Sequence, residues 1–292
     1  MKETTAIEYE SVVELRGEIR AQDGIAISTA SWVPNDPKVV ALLMHGHAEH
    51  IGRYRHVIAA LNARGYAVYG QDHRGHGRSG GERALAMRFD DYVDDFRLMT
   101  VAAQIAHPGL PLVLIGHSMG GLIAARYALV HGSDLSALVT SGAAFIIDEG
   151  VPVWKKWLAT LIARIAPKAP FPRDDSDTLS YDPAVRNAFK TDPLNYHGKT
   201  RMRTAVEMTR AGANALERAG ELRPPYLAMH GADDALTSPR GTELFFERAG
   251  STDKTLKVWP RMKHEIFNEV ERDSVIMYML DWLDERVGEQ AP

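Results

Sequence analysis

Short runs of mainly apolar residues recur along the chain, and longer segments with helical spacing separate them. Runs of this kind are typical of strands that are buried on both faces of a parallel sheet. The apolar runs cover residues 39–44, 66–69, 112–115, 137–140, 226–229 and 256–259. The helical segments include residues 55–64, 91–106, 241–249 and 273–286. The pattern predicts an α/β fold, with a mostly parallel central sheet and helices on both faces.

The residues before position 39 follow a different pattern. Gly17 and the pair Asp23-Gly24 are turn signals between short segments. Turn residues that are so close together suit hairpins better than long crossovers. We therefore expect this part of the chain to add antiparallel strands at one edge of the sheet.

The regular spacing breaks once, between the run that ends near Ser141 and the run that begins at Tyr226. Roughly eighty residues intervene there, although a parallel crossover needs only about a dozen. Such an insertion lies over the carboxyl ends of the strands, where ligands bind in sheets of this type. We predict a core formed by residues 1–143 and 222–292, and a helical cap formed by residues 144–221.

The cap opens with apolar side chains at helical spacing, and cations occupy the rest of the same helix. The sequence allows two interpretations: the apolar face packs on the body of the protein, or it forms a lid that meets acyl chains or a lipid surface. On the second interpretation the candidate substrate-binding residues are Trp154, Trp157, Leu158, Leu161 and Ile162.

Composition excludes several classes of partner. The 34 basic and 38 acidic residues give a net charge of −4 without a long block of like charge, so the chain has no electrostatic footprint for nucleic acid. Cysteine is absent, which excludes a thiol nucleophile and thiolate metal sites. The N-terminus is charged where a signal peptide is apolar, and no apolar run approaches the ~20 residues of a membrane span. We expect a cytoplasmic protein that contacts membranes at most peripherally.

One apolar run ends in a motif that carries chemistry. Residues 112–121 read Leu-Val-Leu-Ile-Gly-His-Ser-Met-Gly-Gly and pass directly into a good helix former. A strand that turns at once into a helix strains its corner residue, and small neighbours permit this close approach. The turn exposes Ser118 above the sheet and places the N–H of Met119 at a positive helix end. Ser118 is therefore the candidate nucleophile, and Met119 is a candidate oxyanion donor.

A serine hydroxyl needs a base that takes its proton and an acid that orients the base. In enzymes with such an elbow the chain order is serine, acid, histidine, each placed after a strand. The last apolar run leads to His264, which is the candidate base. The run at 226–229 leads to Asp233 and Asp234, and spacing alone does not separate them.

The loop after the first central run supplies the second oxyanion donor. It reads His45-Gly46-His47-Ala48-Glu49-His50, where Gly46 permits a close backbone approach and the N–H of His47 faces the substrate. Its three histidines also raise the possibility of a zinc site, but the spacing fits no common ligand set. We predict no metal and no cofactor.

A second glycine-rich segment resembles a nucleotide-binding motif. Residues 75–80 read Gly-His-Gly-Arg-Ser-Gly after the run at 66–69. In a dinucleotide site the glycines open a helix directly after the strand, whereas here Asp72-His73-Arg74 separate the strand from the glycines and the loop continues beyond residue 80. We predict a structural loop and no nucleotide.

Several motifs in fixed order resemble the monoacylglycerol lipase branch of the α/β hydrolases. This branch includes lysophospholipase-like members and is grouped with the serine aminopeptidase family. The motifs are His45-Gly46-x-x-Glu49-His50-x-x-Arg53-Tyr54, Asp72-His73-Arg74-Gly75-His76-Gly77-Arg78-Ser79, Gly116-His117-Ser118-Met119-Gly120-Gly121, Gly231-x-x-Asp234 and His264-Glu265.

The resemblance implies an α/β-hydrolase fold, a triad of Ser118, Asp234 and His264, backbone oxyanion donors at His47 and Met119, and a cap over an acyl tunnel. It thus favours Asp234 over Asp233. The chain departs from the family at His47, where we expect a smaller residue.

The expected activity is hydrolysis of a carboxylic ester, above all a monoacylglycerol, through an acyl-enzyme. A lysophospholipase or a short-chain esterase uses the same chemistry with a different pocket. A peptidase is less favoured, because nothing marks a site for a free amino terminus. A binding protein without catalysis on the same scaffold is the alternative from another class.

Overall fold

The computed structural model describes residues 13–171 and 178–287. The charged first ten residues, on which the expectation about a signal peptide depends, lie outside this part of the chain, as do the ends of the predicted core and six residues of the predicted cap. Within the described residues, no helix is both long enough and apolar enough to cross a membrane.

Eight strands form one sheet in the order β1-β2-β4-β3-β5-β6-β7-β8. Neighbouring strands from β4 through β8 run parallel, whereas β1 and β2 are antiparallel at one edge. The predicted fold class and the predicted edge strands are therefore confirmed. The strands are β1 (Glu14–Arg20), β2 (Ala26–Trp32), β3 (Val39–Met44), β4 (Tyr66–Gln71), β5 (Leu112–His117), β6 (Ala137–Ser141), β7 (Tyr226–Gly231) and β8 (Lys254–Trp259).

Eight α-helices accompany the sheet in the described chain. They are α1 (Arg55–Ala63), α2 (Asp90–Ala106), α3 (Met119–His131), α4 (Val153–Ile165), α5 (Pro183–Thr191), α6 (Met202–Arg218), α7 (Pro239–Arg248) and α8 (Arg272–Val287). Alternate residues of the central strands point to opposite faces. One face packs against α2, α3, α6 and α7, and the other packs against α1 and α8. Two apolar layers thus enclose the sheet, and the continuous apolar runs supply both.

The segment between β6 and β7 contains α4, α5 and α6, where the cap was predicted. Helix α6 serves both parts of the molecule. Met202 and Val206 join a small apolar cluster with Ala163 of α4, while Met208 and Ala211 belong to the main core of the body. The predicted boundary at residue 221 therefore assigns to the cap a helix that also closes the core, and the division into core and cap stays a proposal.

Candidate active site

Ser118 occupies a strained corner between β5 and α3. Its φ of 55° and ψ of −118° lie outside the regions that ordinary residues prefer, at a cost of about 1–3 kcal/mol. The Ser118 N–H donates to the Ser141 carbonyl of the neighbouring strand over 2.8 Å, which holds the corner in place. A Cβ at Gly116 would collide with the carbonyl of Gly120, and one at Gly120 with the carbonyl of Met44. The two glycines of the motif are therefore required by the turn itself.

His264 and Asp234 form a buried pair beside this corner. His264 Nδ1 donates to Asp234 Oδ2 over 2.7 Å. The neighbouring Asp233 faces elsewhere, because its Oδ2 accepts a hydrogen bond of 3.0 Å from the Tyr181 hydroxyl. Gly142, with a φ of 53°, passes so close that a Cβ would lie 3.3 Å from His264 Nδ1. The fold thus pairs the histidine with the second of the two candidate acids.

The carboxylate of Asp234 is fully committed to hydrogen bonds. Its Oδ1 accepts the N–H groups of Leu236 and Thr237 over 2.8 and 3.0 Å. Its Oδ2 accepts the Thr237 hydroxyl over 2.8 Å and lies 2.9 Å from His230 Nε2. Burial by itself would raise the pKa of Asp234, but the attraction of His264 and the hydrogen bonds from His230 and His264 hold that pKa well below its usual range. Asp234 therefore stays ionised at neutral pH.

Two opposing effects act on the imidazole of His264. Burial lowers its pKa, whereas the charge of Asp234 and the hydrogen bond to it raise that pKa, and the net shift is upward. The His117 ring lies 4.7 Å from the His264 ring, centroid to centroid. Burial and repulsion by His264 lower the pKa of His117 to about 3, so it remains neutral. His264 is thus the only one of the two that can accept a proton near neutral pH.

The two predicted oxyanion donors flank Ser118. Met119 is the first residue of α3, so its N–H has no acceptor within the helix. Gly46 brings the other loop against the serine, since a Cβ on it would lie 3.1 Å from Ser118 Cβ. His47 follows directly. The structure therefore brings both loops to the candidate nucleophile, and the donor role of the two N–H groups stays a prediction.

A buried ion network connects the oxyanion loop to the segment of the base. Glu49 accepts the N–H of Gly46 over 2.5 Å and the Tyr54 hydroxyl over 2.6 Å. Arg53 donates a hydrogen bond to Glu49 and two hydrogen bonds of 2.7 Å to Glu265, the neighbour of His264. The arginine side chain is 9% exposed and both glutamates are 3% exposed. The motifs contain these residues, but their roles do not follow from the sequence, because only the i,i+4 spacing of Glu49 and Arg53 is visible in the chain.

A cavity of about 810 Å³ opens above Ser118 and His264. Some of the side chains that line the cavity are apolar and others are polar, so the cavity suits a ligand that has both an apolar and a polar part. The apolar set includes Ile147, Phe171, Leu179, Phe189, Ala205, Met208 and Leu236. The polar set includes His47, Glu49, Lys190, Tyr196, His197, Lys199, Thr200 and Glu265.

The five candidate cap residues on α4 do not line this cavity. Trp154 is 63% exposed and Trp157 is 68% exposed, and Leu158 and Leu161 are also exposed. Ile162 packs against the small cluster around Ala163. The interpretation in which this apolar face packs on the body is therefore wrong for Trp154, Trp157, Leu158 and Leu161, which lie on an outward-facing apolar surface. A role of the five residues in substrate binding stays a prediction.

The second glycine-rich segment is a loop, as predicted. Asp72 holds it by accepting the N–H groups of Ile51 and Arg78 over 3.0 and 2.8 Å. Of the three loop histidines, His45 bonds to the backbone and His50 to Asp192. Across residues 13–171 and 178–287, no group of three or more acidic or histidine side chains is arranged to hold a metal ion.

Comparison with known proteins places the chain in a family. A family model described as serine aminopeptidase, S33, matches residues 35–271. The chain belongs to this family. Within it, the resemblance that the motifs indicated is confirmed by a monoacylglycerol lipase of Mycolicibacterium smegmatis, which is 40% identical over 261 residues, or 89% of this chain and 93% of that protein.

Solved structures of two monoacylglycerol lipases have the same fold. The crystal structure of Paleococcus ferrophilus monoacylglycerol lipase is 27% identical, with a TM-score of 0.79, and the match covers 89% of this chain and 99% of that one. A soluble variant of monoglyceride lipase from Saccharomyces cerevisiae is 24% identical, with a TM-score of 0.85 over 96% of this chain and 98% of that one. Both matches extend over the body and the cap region.

Proposed function

We propose that the protein hydrolyses monoacylglycerols to a fatty acid and glycerol through an acyl-enzyme. The observation that carries the proposal is that Ser118 and His264, which is paired with Asp234, open onto one cavity with apolar and polar walls. The 40% identity to a monoacylglycerol lipase over most of the chain supports the choice of substrate.

The proposed reaction uses a nucleophile, a base and an acid from three loops. Ser118 Oγ attacks the ester carbonyl while His264 takes its proton, and the oxyanion lies against the N–H groups of Met119 and His47. His264 then gives the proton to the departing glycerol oxygen. A water molecule, activated by His264, attacks the acyl-enzyme and releases the fatty acid. Asp234 keeps the imidazole in the required tautomer and stabilises its charged form.

The acidic residues of the cavity support an ester, rather than a peptide with a free amino terminus, as the substrate. An aminopeptidase must hold a free ammonium group, and a carboxylate would be the natural partner. Glu49 and Glu265 line the cavity, but both are bound to Arg53. Both of these carboxylates thus already have a cationic partner, which disfavours the peptidase.

The cations of the cavity favour a lysophospholipid as the second candidate substrate. Lys190 and Lys199 are exposed and line the cavity. A phosphate headgroup would find positive charge there, whereas glycerol would gain nothing from it. The same acyl-enzyme chemistry serves both substrates.

We also infer that α4 binds the lipid surface and so holds the opening of the cavity next to it. The exposed side chains of Trp154, Trp157 and Leu161 form one apolar surface on this helix. Lys155 and Lys156 flank that surface. Aromatic and aliphatic side chains next to cations suit the boundary between headgroups and acyl chains. This contact is peripheral, and the predicted cytoplasmic location stays a prediction.

A panel of four substrates tests the proposal. It comprises a monoacylglycerol, the matching lysophospholipid, a short soluble ester and an amino-terminal peptide substrate, with the Ser118→Ala variant as the control. We expect the monoacylglycerol to give the highest kcat/KM and the variant to be inactive on all four. Preference for the lysophospholipid would favour the second candidate, and turnover of the peptide alone would overturn the proposal.

A further inference from the structure

A chain of hydrogen bonds runs from the body of the protein through the oxyanion loop into the cavity. His76 Nδ1 lies 2.9 Å from the carbonyl oxygen of Arg74. His76 Nε2 lies 3.3 Å from His47 Nδ1. His47 Nε2 lies 3.3 Å from the hydroxyl of Thr200, which belongs to the cap region and lines the cavity. Three side chains thus join a fixed backbone acceptor to a substrate-facing hydroxyl.

The carbonyl of Arg74 determines the direction of every bond in this chain. A carbonyl only accepts, so His76 Nδ1 carries the hydrogen, and in a neutral ring His76 Nε2 is then an acceptor. His47 Nδ1 must therefore donate to it, which leaves His47 Nε2 as an acceptor. The remaining donor is the Thr200 hydroxyl, whose hydrogen points at His47.

The electrostatic surroundings keep both rings neutral. Burial lowers the pKa of His76 to about 4 and that of His47 to about 3, and His76 also disfavours charge on His47. Protonation of either ring would reverse or break the chain. At neutral pH the direction of the bonds therefore does not change.

We propose that Thr200 Oγ1 is a dedicated hydrogen-bond acceptor for a free hydroxyl of the substrate's alcohol group, with its polarity set by His47 and His76. The hydrogen of the Thr200 hydroxyl is committed to His47, so only lone pairs remain for the cavity. In the described part of the chain, no other donor is bonded to this oxygen. Such an acceptor selects a leaving alcohol that carries donors.

The inference rests on the proposed function, since glycerol is the part of a monoacylglycerol that supplies free hydroxyl groups. It also gives a role to the histidine at position 47, where the resemblance led us to expect a smaller residue. A small side chain there could not reach both His76 and Thr200. The departure from the family pattern and the polarity of Thr200 thus have one explanation.

Paired esters test the proposal. One is a monoacylglycerol, and the other is the 2,3-dimethoxypropyl ester of the same fatty acid, which offers acceptors but no donors. We expect the wild type to prefer the hydroxyl-bearing ester. Thr200→Val, of nearly the same shape, should lower kcat/KM for that ester about 3- to 10-fold and leave the methylated ester unchanged. Thr200→Ser keeps the hydroxyl and should retain the preference.

The His47→Ala variant tests the polarity separately. It frees the Thr200 hydroxyl to donate to a methoxy oxygen, so the ratio of kcat/KM between the two esters should fall while Thr200 is still present. Melting temperatures show whether each variant folds. An equal effect of Thr200→Val on both esters, or an unchanged ratio in His47→Ala, would overturn the proposal.

The same assays separate this inference from the proposed function. A wild-type protein that hydrolyses the two esters equally well would remain a monoacylglycerol hydrolase but would contradict the role of Thr200. A wild-type protein that hydrolyses neither would contradict the proposed function itself.

Discussion

Acidification to pH 5 should destabilise the folded protein strongly, because several histidines are buried in their neutral form. His73, His76 and His117 are each at most 2% exposed. Burial is the largest cause that lowers their pKa, to about 3 for His73 and His117 and to about 4 for His76. In the unfolded chain each pKa returns to about 6.5. The unfolded state thus binds more protons below pH 6.5, and stability falls as the pH falls from there.

The size of the effect follows from the distance between pH 5 and the unfolded pKa. That distance is about 1.5 units, so each histidine costs about 2 kcal/mol while it stays neutral in the folded state. The three together cost about 6 kcal/mol, a large part of the ~5–15 kcal/mol that stabilises a typical domain. His264 acts in the opposite sense, because its pKa is raised and the proton it binds favours the folded state below pH 6.5. It recovers part of the loss.

Urea unfolding followed by tryptophan fluorescence at pH 7.5 and pH 5.0 measures this loss. His73→Asn should reduce the difference between the two pH values by about 2 kcal/mol, because it removes one buried titrating group. His197→Asn, the same substitution at an exposed histidine, is the matched control. A free energy of unfolding that changes by less than about 1 kcal/mol between the two pH values would refute the reasoning.

Three further predictions concern the reaction and the cap. Asp234→Asn should lower kcat by about 10⁴-fold, since it leaves the imidazole in the wrong tautomer, whereas Asp233→Asn should cost far less. The kcat/KM profile should rise with pH through an apparent pKa above the ordinary 6.5 of histidine, because Asp234 raises the pKa of His264. An apparent pKa below 6.5 in this profile would contradict the prediction. Replacing Trp157 and Leu161 with Ser should raise KM for long-chain monoacylglycerol in vesicles, without affecting a soluble ester. Both side chains are exposed, so the free energy of unfolding should change by less than about 0.5 kcal/mol. A large loss of stability would contradict the lipid-facing surface.

The core of the fold was predictable because burial on both faces leaves a clear signal in the chain. All six residues of β3 and all six of β5 are buried, and the apolar runs at residues 39–44 and 112–115 reflect this burial. The nucleophile and the base followed from chain order, since Ser118 stands directly after β5 and His264 stands five residues after the end of β8, a strand that is only half-buried. These predictions depend on local sequence alone.

The rest of the site depends on contacts between distant parts of the chain. Asp233 and Asp234 occupy one turn, and only the approach of Tyr181 to the first and of His264 to the second distinguishes them. The partner of Arg53 is Glu265, 212 positions away, so no spacing rule could find it.

The orientation of α4 was also beyond the sequence. A period of 3.6 residues predicts an amphipathic helix, but it does not say whether the apolar side faces the body or the solvent. Here Trp154 and Trp157 face outward, while Ala163 is the buried contact with α6. Which side of α4 is buried is decided by its contact with α6, which lies about forty residues further along the chain.

The identity of the nucleophile is the central claim, and covalent labelling tests it most directly. The protein is treated with a fluorophosphonate, and the modified peptide is identified by mass spectrometry. We expect one label per chain, on Ser118, with complete loss of esterase activity and no label in Ser118→Ala. Labelling at another residue that accounts for the lost activity, or full esterase activity in Ser118→Ala, would contradict the account.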